Sequence, residues 1–299
     1  MPALIFEKRD HVAYLTLNRP EVHNSLNPEM LVSLAAAWKE IDSDDAVRAT
    51  IVTGAGKVAF SAGADLGRLI PLFTGARKPE DEWDAKLLAD RKLGDIALLR
   101  GYDMDKPVIS AVNGFCIAGG MEFIQGTDLR VASDNASFGL QEVKWAIIPA
   151  AGSLARLQRQ IPYCKAMEIL LTGNRIDAQE AWRLGLVNYV VPQEKLIAKA
   201  EELAATIAQN GPLAVRKIKE AVRRTSGRPY EEAFKIENEI AREVMKSDDA
   251  KEGPRSFMEK RKPNYKRPIA LKLPRARASC WDSRGTKLRR GRSGRPRDA

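Results

Sequence analysis

Glu122 lies in GFCIAGGMEF (114–123), an apolar run broken by the adjacent Gly119 and Gly120 and then, two residues later, by this single carboxylate. The strand-like PVISAVNG precedes it, and GGMEFIQG has the form of a short helix opening near Gly119. The first N–H groups of a helix have no intrahelical acceptor and carry partial positive charge, so they bind anions and developing oxyanions. A glycine there lets a ligand approach the backbone, and Glu122 falls one turn in, beside that ligand. The same residues also describe plain capping, with Gly119 as N-cap and Glu122 as the acid three residues on. A second stretch, AFSAGADL at 59–66, again sets glycine among small residues after a buried strand. Such a turn leaves backbone N–H groups pointing into a cavity.

The other candidates for chemistry are few. His11 and His23 are the only histidines, and Cys116, Cys164 and Cys280 are an odd number at wide spacing. That pattern gives no disulfide framework, no paired metal or redox motif and no Ser–His–Asp triad, so no metal is expected. Proton transfer falls to carboxylates, Lys or Tyr. Asp65 is read as a cap for the turn after AFSAGA, and Asp128 as part of the GTDLR turn before a strand.

The elements that must position these residues alternate between short strands and helices. LIFEK and VAYLTLN read as a hairpin, and Asn27–Pro28 opens a helix with Leu31, Leu34, Ala35, Trp38 and Ile41 on one face. ATIVTGAG and KPVISAVNG are buried strands that end immediately before the two glycine loops. From about residue 193 only helices are expected, with stripes at Leu196, Ala200, Leu203 and Ile207 and at Ala233, Ile236, Ile240 and Val244. The expected organisation is an α/β core over 1–192, a helical region over 193–265 that packs on a neighbouring subunit, and a tail over 266–299.

Charge separates that tail from the rest. Residues 266–299 hold 12 Lys and Arg against 2 Asp, which leaves 37 residues of each sign in 1–265. The formal +10 therefore belongs to the tail alone, and its Arg, Gly, Pro and Ser content predicts a disordered, solvated extension. Nucleic-acid binding through this arm is the alternative of a different class; the neutral body gives no reason to expect it. No run of 18 apolar residues is present, and MPALIFEKRD mixes acid and base without a long apolar segment. Neither a membrane span nor a secretory signal is expected, and the cytoplasm is the expected compartment.

Together, AFSAGADL and GFCIAGGMEF resemble the glycine loops of the crotonase, or enoyl-CoA hydratase/isomerase, superfamily. NRPEVHNSLN (18–27), FGLQEVKWAIIPAAGSLARL (138–157), TGNRIDAQEAWRLGLVNYVV (172–191) and SFMEKRKPNY (256–265) extend the match over roughly residues 4–265. The resemblance implies an α/β superhelix of repeated ββα units with C-terminal trimerising helices, acting on an acyl-CoA thioester as a homotrimer or a dimer of trimers. It implies that the backbone N–H groups of Ala64 and Gly119 form an oxyanion hole. Glu122 and Glu142 occupy the positions of the two hydratase glutamates, where isomerases commonly keep one. CoA recognition is implied around His23, Ser25 and Leu26, along Ala62, Gly63, Asp65 and Leu66, beside Gly120, and at Lys260, which in the family can come from an adjacent subunit. No separate cofactor is implied, since CoA arrives with the substrate. Hydration of a 2-enoyl-CoA is the expected reaction, with isomerisation or dehydration of a hydroxyacyl-CoA as alternatives on the same scaffold.

The chain departs from the family pattern after Glu142, where AIIPAAGS stands for a glycine-rich run and places Ala146, Ala150 and Ser153 at glycine positions. Met121 and Trp145, beside the two acids, are read as packing. The stretch 67–86 is expected to be a loop bordering the acyl chain.

Overall fold

The computed structural model describes residues 1–265; the expected disordered tail and its polyanion-binding alternative lie outside them. The chain opens with β1 (Leu4–Arg9) and β2 (Val12–Leu17), paired antiparallel. Asp10 and His11 take positive φ between them, the geometry that suits a two-residue hairpin turn. In α1 (Pro28–Ser43), the Asn27 side chain accepts from the Met30 N–H and Pro28 sits at the first helical position. There follow β3 (Ala49–Gly54), β4 (Ala59–Ser61), α2 (Leu69–Thr74), α3 (Glu82–Ala89), α4 (Lys92–Ala97), β5 (Val108–Val112), β6 (Phe115–Ile117) and α5 (Gly119–Ile124). Next come β7 (Leu129–Ser133), β8 (Ser137–Gly139), α6 (Ser153–Gln160), α7 (Tyr163–Thr172), β9 (Ile176–Asp177), α8 (Ala178–Arg183) and β10 (Tyr189–Val191). Four helices end the described chain: α9 (Leu196–Gln209), α10 (Pro212–Thr225), α11 (Tyr230–Met245) and α12 (Asp249–Met258).

The strands form a six-stranded sheet in the order β1-β2-β3-β5-β7-β10 and a four-stranded sheet in the order β4-β6-β8-β9. Except for the β1–β2 and β8–β9 edges, all pairings are parallel. Successive units therefore place one strand in each sheet: β3 then β4, β5 then β6, β7 then β8. The crossing is tight. At Gly114, between β5 and β6, φ is 159° and an added Cβ would stand 2.1 Å from the Val58 carbonyl oxygen. Asn113 locks the corner by accepting from the Gly54 N–H and donating to the Gly56 and Ala59 carbonyls.

One face of the large sheet carries the main core, where α1 buries Leu31, Leu34, Trp38 and Ile41 and Trp38 donates its indole N–H to the Ala97 carbonyl. α9 covers the other face, packing Leu196, Ala200 and Ala204 on Val12, Ile51, Ile109 and Val131. This corrects one expectation: the α9 stripe is satisfied inside the chain and needs no neighbouring subunit. Residues 67–86 hold α2 and part of α3 instead of a plain loop. Asp81 caps α3, and Arg77 grips the fully buried Asp84 with both ends of its guanidinium, which lets a charged stretch fold as helix. No helix among the described residues is long and apolar enough to cross a membrane.

Candidate active site

β4 and β6 lie side by side in the small sheet, so the loops that follow them meet at one end. Leu26 bridges to Ala64 in parallel register: the Leu26 N–H donates to the Gly63 carbonyl and the Asp65 N–H to the Leu26 carbonyl. That alternation turns the Ala64 N–H away from Leu26. On the facing loop, Ala118 holds φ 50° and ψ −124°, a strained conformation for a residue with a Cβ. It precedes the first residue of α5, Gly119, whose N–H has no intrahelical acceptor. The two loops touch: a Cβ on Gly63 (φ 90°) would lie 2.8 Å from the Gly119 nitrogen, and one on Gly119 would lie 3.5 Å from the Ala64 nitrogen. Two backbone donors are thereby brought to one place.

Beside them opens a cavity of about 520 Å³, within the usual range for small-molecule sites. Leu26, Ala62, Ala64, Gly119, Glu122 and Glu142 line it, with His23 and Leu66 also on its wall. Ser25, Gly63, Asp65 and Gly120 stand behind. Gly120 packs where a Cβ would meet the Ser61 carbonyl oxygen at 2.5 Å. Asp65 does cap its turn, accepting from the Gly67 and Arg68 N–H groups, and its other oxygen pairs with Arg19 at 2.8 Å. Asp128 accepts from the Val108 N–H and from Lys219, tying the turn to β5 and α10. Lys260 is exposed beyond α12 and does not line this chain's cavity.

Capping does not account for Glu122. The N-cap of α5 is Ala118, and Glu122 Oε1 instead accepts from the Ser153 N–H at 3.2 Å, 31 residues away. Burial raises the Glu122 pKa above the ordinary glutamate value, opposed by the Ser153 and Ala151 N–H groups and by Arg100 and Arg156. Glu142, in a 3₁₀ turn over Glu142–Trp145, is pushed up to about 7 by burial and then by the charge of Glu122, its own backbone N–H acting the other way. Its Oε2 is enclosed without a hydrogen-bond partner among the described residues. Burial thus pushes both acids towards their protonated forms, with backbone donors from Ser153 and Ala151 opposing the push at Glu122.

The departures from the glycine-rich pattern also have places. Ala146 sits at φ 57°, a left-handed position that costs a residue with a Cβ about 1–2 kcal/mol. Ser153 opens α6 and accepts from Gln125 Nε2 at 2.7 Å, which fixes the residue whose N–H meets Glu122. Met121 is fully buried packing, but Trp145 is 68% exposed on the cavity wall, contrary to expectation, because the 3₁₀ turn projects it outward. Sequence reasoning missed Arg19, which donates to the Ser25 carbonyl and hydroxyl and to Asp65, holding the 23–26 and 62–66 segments together. Its only signal was its place in NRPEVHNSLN.

The family model for enoyl-CoA hydratase/isomerase matches residues 7–268. The chain belongs to the enoyl-CoA hydratase/isomerase family. It is 45% identical to the enoyl-CoA hydratase EchA19 of Mycobacterium tuberculosis over 88% of this chain and 96% of that protein. It is 37% identical to a carnitinyl-CoA dehydratase of Citrobacter koseri over 88% and 98%. Its fold matches the crystal structure of an enoyl-CoA hydratase from Bacillus anthracis with a TM-score of 0.80 and 37% identity, covering 88% of this chain and 99% of that one. Membership makes the chain an enzyme of the crotonase fold, in a family whose substrates are acyl-CoA thioesters.

Proposed function

We propose that the chain is an enoyl-CoA hydratase, adding water in the syn sense across the double bond of a 2-enoyl-CoA. The observation that carries this is the pair Glu122 and Glu142, buried on one cavity wall, where burial raises both pKa values and backbone N–H groups from Ser153 and Ala151 oppose the rise at Glu122. The thioester oxygen receives the Ala64 and Gly119 N–H groups, which stabilise it as enolate charge develops. Glu122 orients a water and takes one of its protons as the water oxygen bonds to the β-carbon. The π electrons move to the α-carbon, which takes the Glu142 proton, and proton exchange between the two acids restores the starting state. An isomerase would leave one acid idle. Dehydration is the same chemistry reversed, and the carnitinyl-CoA dehydratase relative favours it as the second reading.

Glu142 gives the test. Hydration needs its acid form, so kcat/KM falls as pH rises through about 7. Stability follows the same proton. Between the ordinary value of 4.5 and about 7 the folded state binds more protons than the unfolded chain, so this contribution is full below 4.5 and is lost as pH rises through 7. Glu142→Gln removes the dependence: its Tm advantage over the parent grows from pH 5 to pH 8, measured by calorimetry. A pH-independent difference and a flat rate profile would defeat the assignment.

CoA contacts fall to the backbone of 23–26 and 62–66, and to Lys260 of a neighbouring subunit, since Lys260 does not line the cavity of its own chain. The helices beyond α9 support self-association, and the resemblance to the family puts it in threes. Ile218 and Val222 on α10, Phe234 on α11, and Phe257 and Met258 on α12 are all exposed, which leaves apolar side chains for another copy to cover. Light scattering at micromolar concentration should give three or six chains. A clean monomer would refute this assembly.

A further inference from the structure

The cavity wall carries charge that adding water does not use. Arg91, Asp95 and Arg100 line the same cavity as Glu122, from α4 and the residues that flank it. Arg100 and Asp95 pair at 2.8 Å, which balances those two charges. The Arg91 side chain has no hydrogen bond or ion pair among the described residues, so the group presents one uncompensated guanidinium.

Of these, Arg100 stands close enough to Glu122 to act on its charge. Arg100 and Arg156 are the cations that act on Glu122, and neither acts on Glu142. The chain just after α5 abuts the same region: a Cβ on Gly126 would meet Leu99 Cβ and the Leu98 carbonyl. A thioester held between Ala64 and Gly119, with CoA leaving past His23 and Leu26, would have the rest of this cavity for its acyl chain, including the wall of Leu98, Gly94 and Arg91. Leu69, Phe73 and Leu98 offer methylenes an apolar wall, but a methyl terminus would reach a cation that needs an anion or water.

We infer that the pocket is built for an enoyl chain ending in a carboxylate, with Arg91 as its ion-pair partner and Arg100, braced by Asp95, as a second donor. A guanidinium suits this task because its planar fork matches both carboxylate oxygens. The inference rests on the cavity being an acyl-CoA site. Arg91 is solvent-accessible, so the effect is nearer tenfold than the hundredfold of a buried charged pair.

The test uses two saturated acyl-CoA esters of equal chain length, one ending in methyl and one in carboxylate, titrated calorimetrically into the intact protein. The parent protein should bind the carboxylate ester about tenfold more tightly. Arg91→Gln should remove most of that ratio, and Arg91→Lys should restore part of it. Equal affinity of the parent for both esters would overturn the inference. So would an equal loss for both esters in Arg91→Gln, which would assign Arg91 to the CoA phosphates they share. Turnover of the matching 2-enoyl esters separates the two claims. No hydration of either ester, with the binding ratio intact, would sink the hydratase reading and leave the carboxylate site standing. Hydration with no carboxylate preference in binding would do the reverse.

Discussion

Glu122→Gln and Glu142→Gln each lower the hydration rate of a 2-enoyl-CoA by ~10²-fold or more, while affinity for the ester changes little. Both substitutions keep the volume of a buried side chain and remove only its ability to carry a proton. At 122 the amide oxygen can still accept from the Ser153 N–H, so α5 and α6 stay in place and the loss is chemical. At 142 the amide is a hydrogen-bond donor that cannot release its proton to carbon, and it relieves the burial of a titrating group. The Glu142 variant should therefore be the more stable protein at pH 8 and the poorer catalyst. Steady-state rates at pH 7, with calorimetric binding of a saturated ester, check both halves. Near-normal turnover in either variant would end the two-carboxylate mechanism.

What the sequence could disclose depended on how far each residue's partner lies along the chain. The start of α1 was legible because its signals are local: Asn27 caps Met30 three residues on, and Pro28 follows the cap. The stripe on α9 was legible as a buried face, but periodicity does not name what covers a face, and the cover is the chain's own sheet. Glu122 was legible as a first-turn acid, yet ligand and cap could not be told apart locally, because the deciding partner is Ser153. Arg19 carried no local signal at all, since its ion pair is with Asp65, 46 residues away. The charged stretch after residue 67 looked like a loop because composition does not disclose that Asp84 is buried and paired with Arg77. Glu142 had no standing from its neighbours and was found through the family pattern, and the structure then supplied its burial and its unpartnered oxygen.

Gly119→Val tests the backbone half of the mechanism, and the geometry makes it a clean test. Gly119 is not at a positive φ, and a Cβ there would meet Leu26 Cδ1 at 3.3 Å, the Gly63 Cα at 3.4 Å and the Ala64 nitrogen at 3.5 Å. Those contacts are tight but tolerable, so the fold should survive, as circular dichroism can confirm. The γ-methyls of valine would then crowd the space in front of the Ala64 N–H, where the proposed mechanism seats the thioester oxygen, without deleting either donor or any charge. The expected loss is about 3 kcal/mol of transition-state stabilisation, the size found when an oxyanion donor is removed. It should appear in kcat/KM with the Tm little changed. Gly120→Ala is the contrasting variant: its methyl would lie 2.5 Å from the Ser61 carbonyl oxygen, so that protein should lose stability first. Proline at 119 would be a poorer probe, because it removes the N–H and perturbs the backbone together. If Gly119 merely began a helix, the valine enzyme would turn over substrate normally once folded. That outcome would mean the strained Ala118 turn serves packing alone, and the oxyanion hole would have to be sought elsewhere on the cavity wall.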